Sequence, residues 1–476
     1  MSVRERVSSL FKGHEEFDLT SGGIGKPLFF LSLPIVITNL FQTAYNLADT
    51  FWLGQYSTNA LAAISFAFPM VFLLISLGMG LSVAGSVLVA QHTGAEEEAE
   101  AEYAASQTIT FAILASILLG AVGYVLVEEL LGLLGASPAV LPMATSYMEV
   151  ISLGLPFMFG FFVFIALMRG YGDTITPMLV MFGSVVLNIV LDPFMIFGWG
   201  PLPELGIEGA AIATVFSRGL AMLVGLAIMF QGTRGVQINL RDMAPDLTYL
   251  RRLVRIGLPA SIEGTGRALS INLLLFIVGM FPTTVVAAFG IGTRVFSVIF
   301  LPAVAVARGV ETMTGQNIGA DKPDRAEQAA GLAAKVLFGV LSGAGILVWV
   351  GAAPIASVFT TDPAVVGVTE EFLRYVALTF GFIGVMRAYT GSFRGAGKTL
   401  TAAAISVVML GVIRLPIAWV AAGAIGETGI WLAFAISNIA GAVIAYLWYQ
   451  RGTWREADLT ERGPDIDASE STATDD

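Results

Sequence analysis

Cysteine is absent from the 476 residues, and histidine occurs only at His14 and His92. Disulfides and thiolate metal centres are therefore excluded. Both histidines fall outside the apolar runs, which removes an imidazole site from within them. Charge is scarce too: Asp, Glu, Lys and Arg make up 13% of the chain, against roughly 25% in soluble domains. The first 26 residues contain no apolar core of a leader and are not read as a signal peptide. No strongly basic stretch suggests a nucleic-acid partner.

Apolar residues fill that gap. They make up 56% of the chain, with a mean hydropathy of +0.79. Runs of spanning length recur near 28–52, 61–88, 105–127, 147–168, 177–197, 209–230, 257–280, 285–307, 332–351, 372–391, 402–423 and 429–449. The reading is an all-α integral membrane protein with twelve transmembrane helices and lipid as its solvent. A β-barrel would show alternating segments of about 10 residues instead.

Lys and Arg set the orientation. With the N-terminus in the cytoplasm, the outer connections (53–60, 128–146, 198–208, 281–284, 352–371 and 424–428) contain none. The inner segments hold Arg169, Arg234, Arg241, Arg251, Lys322, Arg325, Arg394, Lys398 and Arg451 among others. Both termini are expected in the cytoplasm of a plasma-membrane protein. The net charge of −11 comes largely from 94–103 and the tail 465–476, read as a solvated loop and a disordered tail. The acidic surplus also suggests a host with a salty cytoplasm. Indifference of the purified protein to low-salt dialysis would count against that.

The chain repeats itself at a spacing of 225 residues. Pro34 aligns with Pro259, Ala62-Ala63 with Ala287-Ala288, and "VAQHTGA" (89–95) with "TGQNIGA" (314–320). "MRGYGDTIT" (168–176) aligns with "FRGAGKTLT" (393–401), matching Arg, both glycines and two threonines. Each half holds six spans, so both enter the membrane in one direction. Parallel repeats of this kind form two six-helix bundles related by a pseudo-twofold axis along the membrane normal, and rocking of the bundles gives alternating access. The expected division is an N-terminal segment (1–26), an N-lobe (27–230), a cytoplasmic linker (231–255), a C-lobe (256–450) and an acidic tail (451–476). "RGYGDT" and "RGAGKT" lack the spacing of a phosphate loop. They read as glycine turns with arginine anchors at the headgroups.

The stretch "ITNLFQTAYNLADTFWLG" (37–54) places Thr38, Asn39, Gln42, Tyr45, Asn46 and Asp49 on one helical stripe. A carboxylate at mid-span costs at least about 2.5–3.5 kcal/mol on insertion scales, so the stripe should face the protein interior. In "LNIVLDP" Asn188 and Asp192 share one face; Asp49 and Asp192 lie at similar depth toward the outer ends of their spans, and Thr214 lies in the next span a few residues in from the same side. Asp49, Asn188, Asp192 and Thr214 make a candidate oxygen cage for Na⁺; a proton would need only one of the acids. At the repeat spacing these acids are replaced by Leu274 and Ile417, and Asn188 by Ile413. Packing alone gives no reason for that asymmetry. Gln42, Tyr45, Asn46 and Tyr147 are candidate cavity-lining residues, the tyrosines offering π faces to a cation. Pro34 is a candidate hinge, with a static kink as the alternative. Glu263, Arg267, Arg294, Arg387 and Arg414 are read as a buried network of the second half, with Glu263 a secondary titrating candidate.

Twelve spans, the paired "QHTGA"/"QNIGA" and "RGYGDT"/"RGAGKT" turns, Pro34, and "LNIVLDPFMIFGWG" followed by "GIEGAAIATVFSR" resemble the multidrug and toxic compound extrusion (MATE) family. The likeness is strongest to its DNA-damage-inducible-type archaeal and bacterial branch, over about residues 20–450. It implies export of cationic or amphipathic compounds by a monomeric antiporter coupled to H⁺ or Na⁺, without a cofactor, and a cation site on the N-lobe positions named above. Other branches carry a glutamate where this chain has Arg267. The alternatives are a lipid-linked oligosaccharide flippase, kept open by the arginines of the second half, and a membrane enzyme, for which no ordered acidic motif is found.

Overall fold

The computed structural model describes residues 18–133, 137–457 and 459–460. The N-terminal segment to residue 17, with His14, and the acidic tail from 461 lie outside the described residues. Helices dominate and no strand occurs among the described residues. In chain order they are α1 (Gly25–Tyr56), α2 (Thr58–Gly94), α3 (Glu98–Leu133), α4 (Leu141–Tyr171), α5 (Ile175–Phe197), α6 (Gly206–Gln231), α7 (Leu247–Val278), α8 (Thr283–Gly319) and α9 (Pro323–Val350). There follow the short α10 (Ala352–Phe359), then α11 (Pro363–Ala377), α12 (Phe380–Gly395), α13 (Thr399–Val407), α14 (Leu415–Ile425) and α15 (Glu427–Tyr449). Large side chains such as Val125, Leu347 and Val350 face outward, as a lipid-solvated surface requires.

Eleven continuous helical stretches among the described residues are long and apolar enough to span, with α13 and α14 counted as one. The tenth crossing, expected at 372–391, is instead the pair α11–α12, broken at Leu378 and Thr379. The eleventh, expected unbroken over 402–423, carries a π turn at Val408–Arg414 between α13 and α14. With these two irregular crossings the chain has twelve membrane helices in two bundles.

The repeat is written into the backbone. Glu96 and Asp321, one repeat apart, are the non-glycine residues with positive φ among the described residues, at 62° and 55°. The same turn closes around each: Glu97 N–H donates to His92 O at 2.9 Å, and Lys322 N–H to Asn317 O at 2.7 Å. Gly172 and Gly397 likewise share the left-handed region, φ 106° and 76°, which glycine adopts without a Cβ penalty. These are the expected glycine turns. The turn around Glu96 differs from expectation in its histidine: α2 runs on to Gly94, so His92 is buried within that helix, its Nδ1 2.9 Å from Glu97 Oε2.

The chain forms two compact units. The first comprises Leu33–Ser261; the second comprises Leu19–Ser32 with the chain from Ile262 onward. Each half's opening helix is thus divided, α1 just before Pro34 and α7 just after Pro259. In the first unit the start of α7 lies against α2: a Cβ on Gly80 would stand 2.4 Å from Gly257 O, and Ser261 Oγ donates to Leu77 O at 2.9 Å. In the second unit Asn317 Nδ2 donates to Leu19 O at 3.1 Å, and the Arg325 guanidinium donates to the carbonyls of Leu19, Ser21 and Gly22. Within the expected linker a 3₁₀ turn, Leu240–Met243, is clasped to α3: Gln107 Nε2 donates to Ala244 O at 2.7 Å and Asn239 Nδ2 to Glu102 Oε2 at 2.8 Å.

Candidate functional site

The first unit holds an open cavity of about 690 Å³, lined on one side by the polar stripe of α1. Gln42, Tyr45, Asn46 and Asp49 all reach it, as do Tyr147 of α4 and Thr214 of α6. The helical spacing in the sequence therefore does place these groups on one interior face. Asp49 is 4% exposed, while Asn188 and Asp192 of α5 are fully buried.

Asn188 Nδ2 donates to Asp192 Oδ1 at 3.1 Å, along one face of α5. Asp192 is close enough to Asp49 for the two carboxyls to share a hydrogen bond, and Tyr45 and Arg218 lie within range of Asp49. Three acceptor oxygens remain without a hydrogen-bond partner: Asp49 Oδ1, Asp192 Oδ2 and Asn188 Oδ1. Orphaned acceptors are costly in a dry interior. Adjacent buried carboxylates are costlier, unless a proton or a metal cation joins them. The donor set is all oxygen, which suits a hard cation.

Thr214 takes a narrower place than a ligand list suggests. Its Oγ1 accepts the Tyr45 hydroxyl at 2.6 Å, which ties α6 to α1 beside Asp49. Gln42 Nε2 donates to Asn46 Oδ1 at 3.2 Å along the stripe. Pro34 sits inside an unbroken helix, its carbonyl accepting the Thr38 hydroxyl at 2.8 Å.

The sequence reading missed Arg218. It lies four residues after Thr214 on α6, fully buried, with Nη2 donating to Gln42 Oε1 at 2.8 Å. Its guanidinium carbon stands 4.6 Å from the Tyr45 ring centroid and 5.3 Å from that of Phe161. The four-residue step from Thr214 was the available signal.

The second unit corrects the network expected there. Glu263 accepts from Arg267 at 3.2 Å, from Arg394 at 3.2 Å and from Ser406 at 2.8 Å. Arg394 also reaches Glu311 at 3.2 Å, and Arg308 meets Glu311 at 2.9 Å. Arg394 is thus a buried bridge between two carboxylates, not the headgroup anchor its turn motif suggested. Arg294 is exposed, and Arg414 bonds apart from the acids, to Ser437 Oγ and Asn438 Oδ1. Both fall outside the network. Among the described residues no group of three or more His, Cys, Asp or Glu is placed to hold a metal ion.

Comparison with known proteins bears on this arrangement. The family model MatE matches residues 34–194 and 259–420, the two halves of the repeat. The FAD transporter of Shewanella oneidensis is 30% identical, over 91% of this chain and 96% of that protein. The probable multidrug resistance protein YpnP of Bacillus subtilis is 29% identical, over 93% and 98%. The crystal structure of the Vibrio cholerae MATE transporter VcmN in the bent form superposes with a TM-score of 0.85 at 25% identity, covering 96% of this chain and 99% of that one.

Proposed function

We propose, from the premise that this chain belongs to the MATE family of multi-pass membrane transporters, that it is an antiporter in which an inward-moving H⁺ or Na⁺ drives small amphipathic compounds, cationic ones included, out of the cell. One observation carries the reading: three unpartnered buried oxygens, Asp49 Oδ1, Asn188 Oδ1 and Asp192 Oδ2, on neighbouring side chains of which Asp49 lines the cavity of the first unit while Asn188 and Asp192 lie behind it. A cation entering that cluster satisfies acceptors that nothing else meets. Its binding also discharges the repulsion between two buried carboxylates, so occupancy and vacancy favour different packings of α1 against α5 and α6. Alternating access is the family's route for such a difference to move cargo.

Within this scheme Asp49 and Asp192 take the coupling cation, Asn188 orients Asp192, and Thr214 with Tyr45 positions α1. Gln42, Asn46 and Tyr147 face the cargo. Pro34, with no N–H to give, is the point where α1 bends with least loss of hydrogen bonding. The relatives named above include a probable multidrug resistance protein and an FAD transporter, which supports small organic compounds as the cargo.

The test is efflux of a fluorescent cationic dye from proteoliposomes under imposed H⁺ or Na⁺ gradients. Wild type should respond to one gradient, and Asp49→Asn and Asp192→Asn should lose that response. Equal gradient-driven efflux by all three proteins would overturn the assignment.

A further inference from the structure

The second unit holds its own open cavity of about 600 Å³. It is built on the same positions as the first. At the repeat spacing of 225, cavity-lining Asp49 becomes Leu274, Gln42 becomes Arg267, Pro69 becomes Arg294 and Phe162 becomes Arg387, and each replacement lines the second cavity. Arg414 adds a fourth guanidinium, and no carboxylate lines the wall. One scaffold therefore carries two chambers, the first with Asp49 and Arg218 in its wall and the second with arginines as the charged residues along its wall.

The surplus of positive charge is not absorbed nearby. The two buried acids among the described residues of this unit, Glu263 and Glu311, are already met by three arginines, Arg267, Arg308 and Arg394. Arg387 makes no side-chain hydrogen bond or ion pair among the described residues, and its Nε is buried without a partner. The charges that act on it most strongly are Arg267, Arg394 and Arg308, with Glu263 opposing them. A half-buried guanidinium whose Nε has neither solvent nor an acceptor is a costly arrangement that an incoming anion relieves.

The irregular backbone of this unit converges on the same wall. The π turn Val408–Arg414 ends at Arg414, whose Nη2 donates to Asn438 Oδ1 at 2.7 Å. Asn438 Nδ2 in turn donates to Thr379 Oγ1 at 2.9 Å, at the break between α11 and α12. Single π turns are frequent at functional sites. Phe289, Phe296, Phe300 and Phe434 supply ring faces to the cavity, with the Arg414 guanidinium carbon 4.2 Å from the Phe434 centroid.

We propose that this second chamber is a binding site for aromatic organic anions, seating a carboxylate or phosphate against Arg387 and Arg267 and a flat ring among the phenylalanines. Guanidinium pairs recognise such oxyanions bidentately. The inference rests on the transporter reading above and deepens it: the cargo range includes acids, and acids bind in a different unit from the coupling cation.

Two dyes on one xanthene scaffold test it: fluorescein, a dianion, and rhodamine 123, a cation. Fluorescence anisotropy is measured with the full-length protein in nanodiscs. Fluorescein should bind wild type, lose about tenfold or more of its affinity in Arg387→Gln, and recover much of it in Arg387→Lys. Rhodamine 123 should bind Arg387→Gln as well as wild type or better. Asp49→Asn should leave fluorescein binding intact while removing gradient-driven rhodamine efflux. The proposal is overturned if fluorescein does not bind, if Arg387→Gln leaves its affinity unchanged, or if that variant weakens both dyes equally. In each of those cases gradient-driven rhodamine efflux by wild type keeps the coupling assignment standing on its own.

Discussion

Tyr45 and Thr214, separated by 169 positions in the chain, meet hydroxyl to hydroxyl at 2.6 Å inside the first unit. The contact fixes the depth of α1 against α6 one helical turn before Asp49. The ring of the same tyrosine lies under Arg218, so one side chain performs two separable jobs.

Substitution should separate them. Tyr45→Phe removes the hydrogen bond and keeps the ring, and is expected to cost about 0.5–1.5 kcal/mol. Tyr45→Leu loses the ring face beneath Arg218 as well, adding about 0.5–2 kcal/mol. Thermal unfolding in detergent should rank wild type above Phe above Leu. Equal melting of the two variants would mean that the ring contact contributes nothing.

Glu263 is held on three sides, by Arg267, Arg394 and Ser406. Glu263→Gln leaves Arg394 and Arg267 short of a counter-charge and is expected to destabilise the protein by about 3–5 kcal/mol, as breaking a buried pair does. The remaining folded protein should keep the wild-type pH profile of efflux. A displaced profile would instead make Glu263 a titrating member of the transport cycle.

Asp246 caps α7 from outside the membrane spans. The Tyr103 hydroxyl donates to its carboxylate at 2.9 Å, and the N–H groups of Tyr249 and Thr248 add to it. The Tyr103 bond, then the backbone bonds, hold its carboxyl below the usual range. A lowered folded value contributes stability that is present above the unfolded value, about 3.9, and is lost as pH falls through the folded one. The clasp between α3 and the 231–255 segment should therefore be indifferent to pH from 8 to 5 and open in stronger acid. Tyr103→Phe should shift that opening toward higher pH. Pepsin cleavage within 234–246 at graded acidity reads it, and an unaltered cleavage profile in Tyr103→Phe would dismiss the clasp.

Much of this molecule was legible in its sequence because the signals are periodic or local. Span lengths follow from hydropathy, and the 225-residue repeat follows from identities that reappear in the φ angles of Glu96 and Asp321. The polar stripe of α1 follows from helical spacing, and Asn188 and Asp192 bond within one turn of α5. What could not be read depends on partners distant in the chain. Arg394 sits in a turn motif that also suits a headgroup anchor, yet its carboxylates lie 131 and 83 residues away. Arg387 looked like one more member of a charged network, and only the placement of its neighbours shows that the acids are already taken. The break at Leu378 and Thr379 and the π turn ending at Arg414 fall within runs whose mean hydropathy reads as one continuous span, so hydropathy carries no mark of either.

The division of α1 and α7 between units has a consequence for anyone taking this protein apart. The segment Leu19–Ser32 belongs to the second unit and the start of α7 to the first. A gene cut at the 231–246 connection would therefore yield two polypeptides, each missing a piece of helix that its own bundle needs and carrying one that belongs elsewhere. Neither fragment should mature alone; made together in one cell, they should rebuild a working whole by trading those ends.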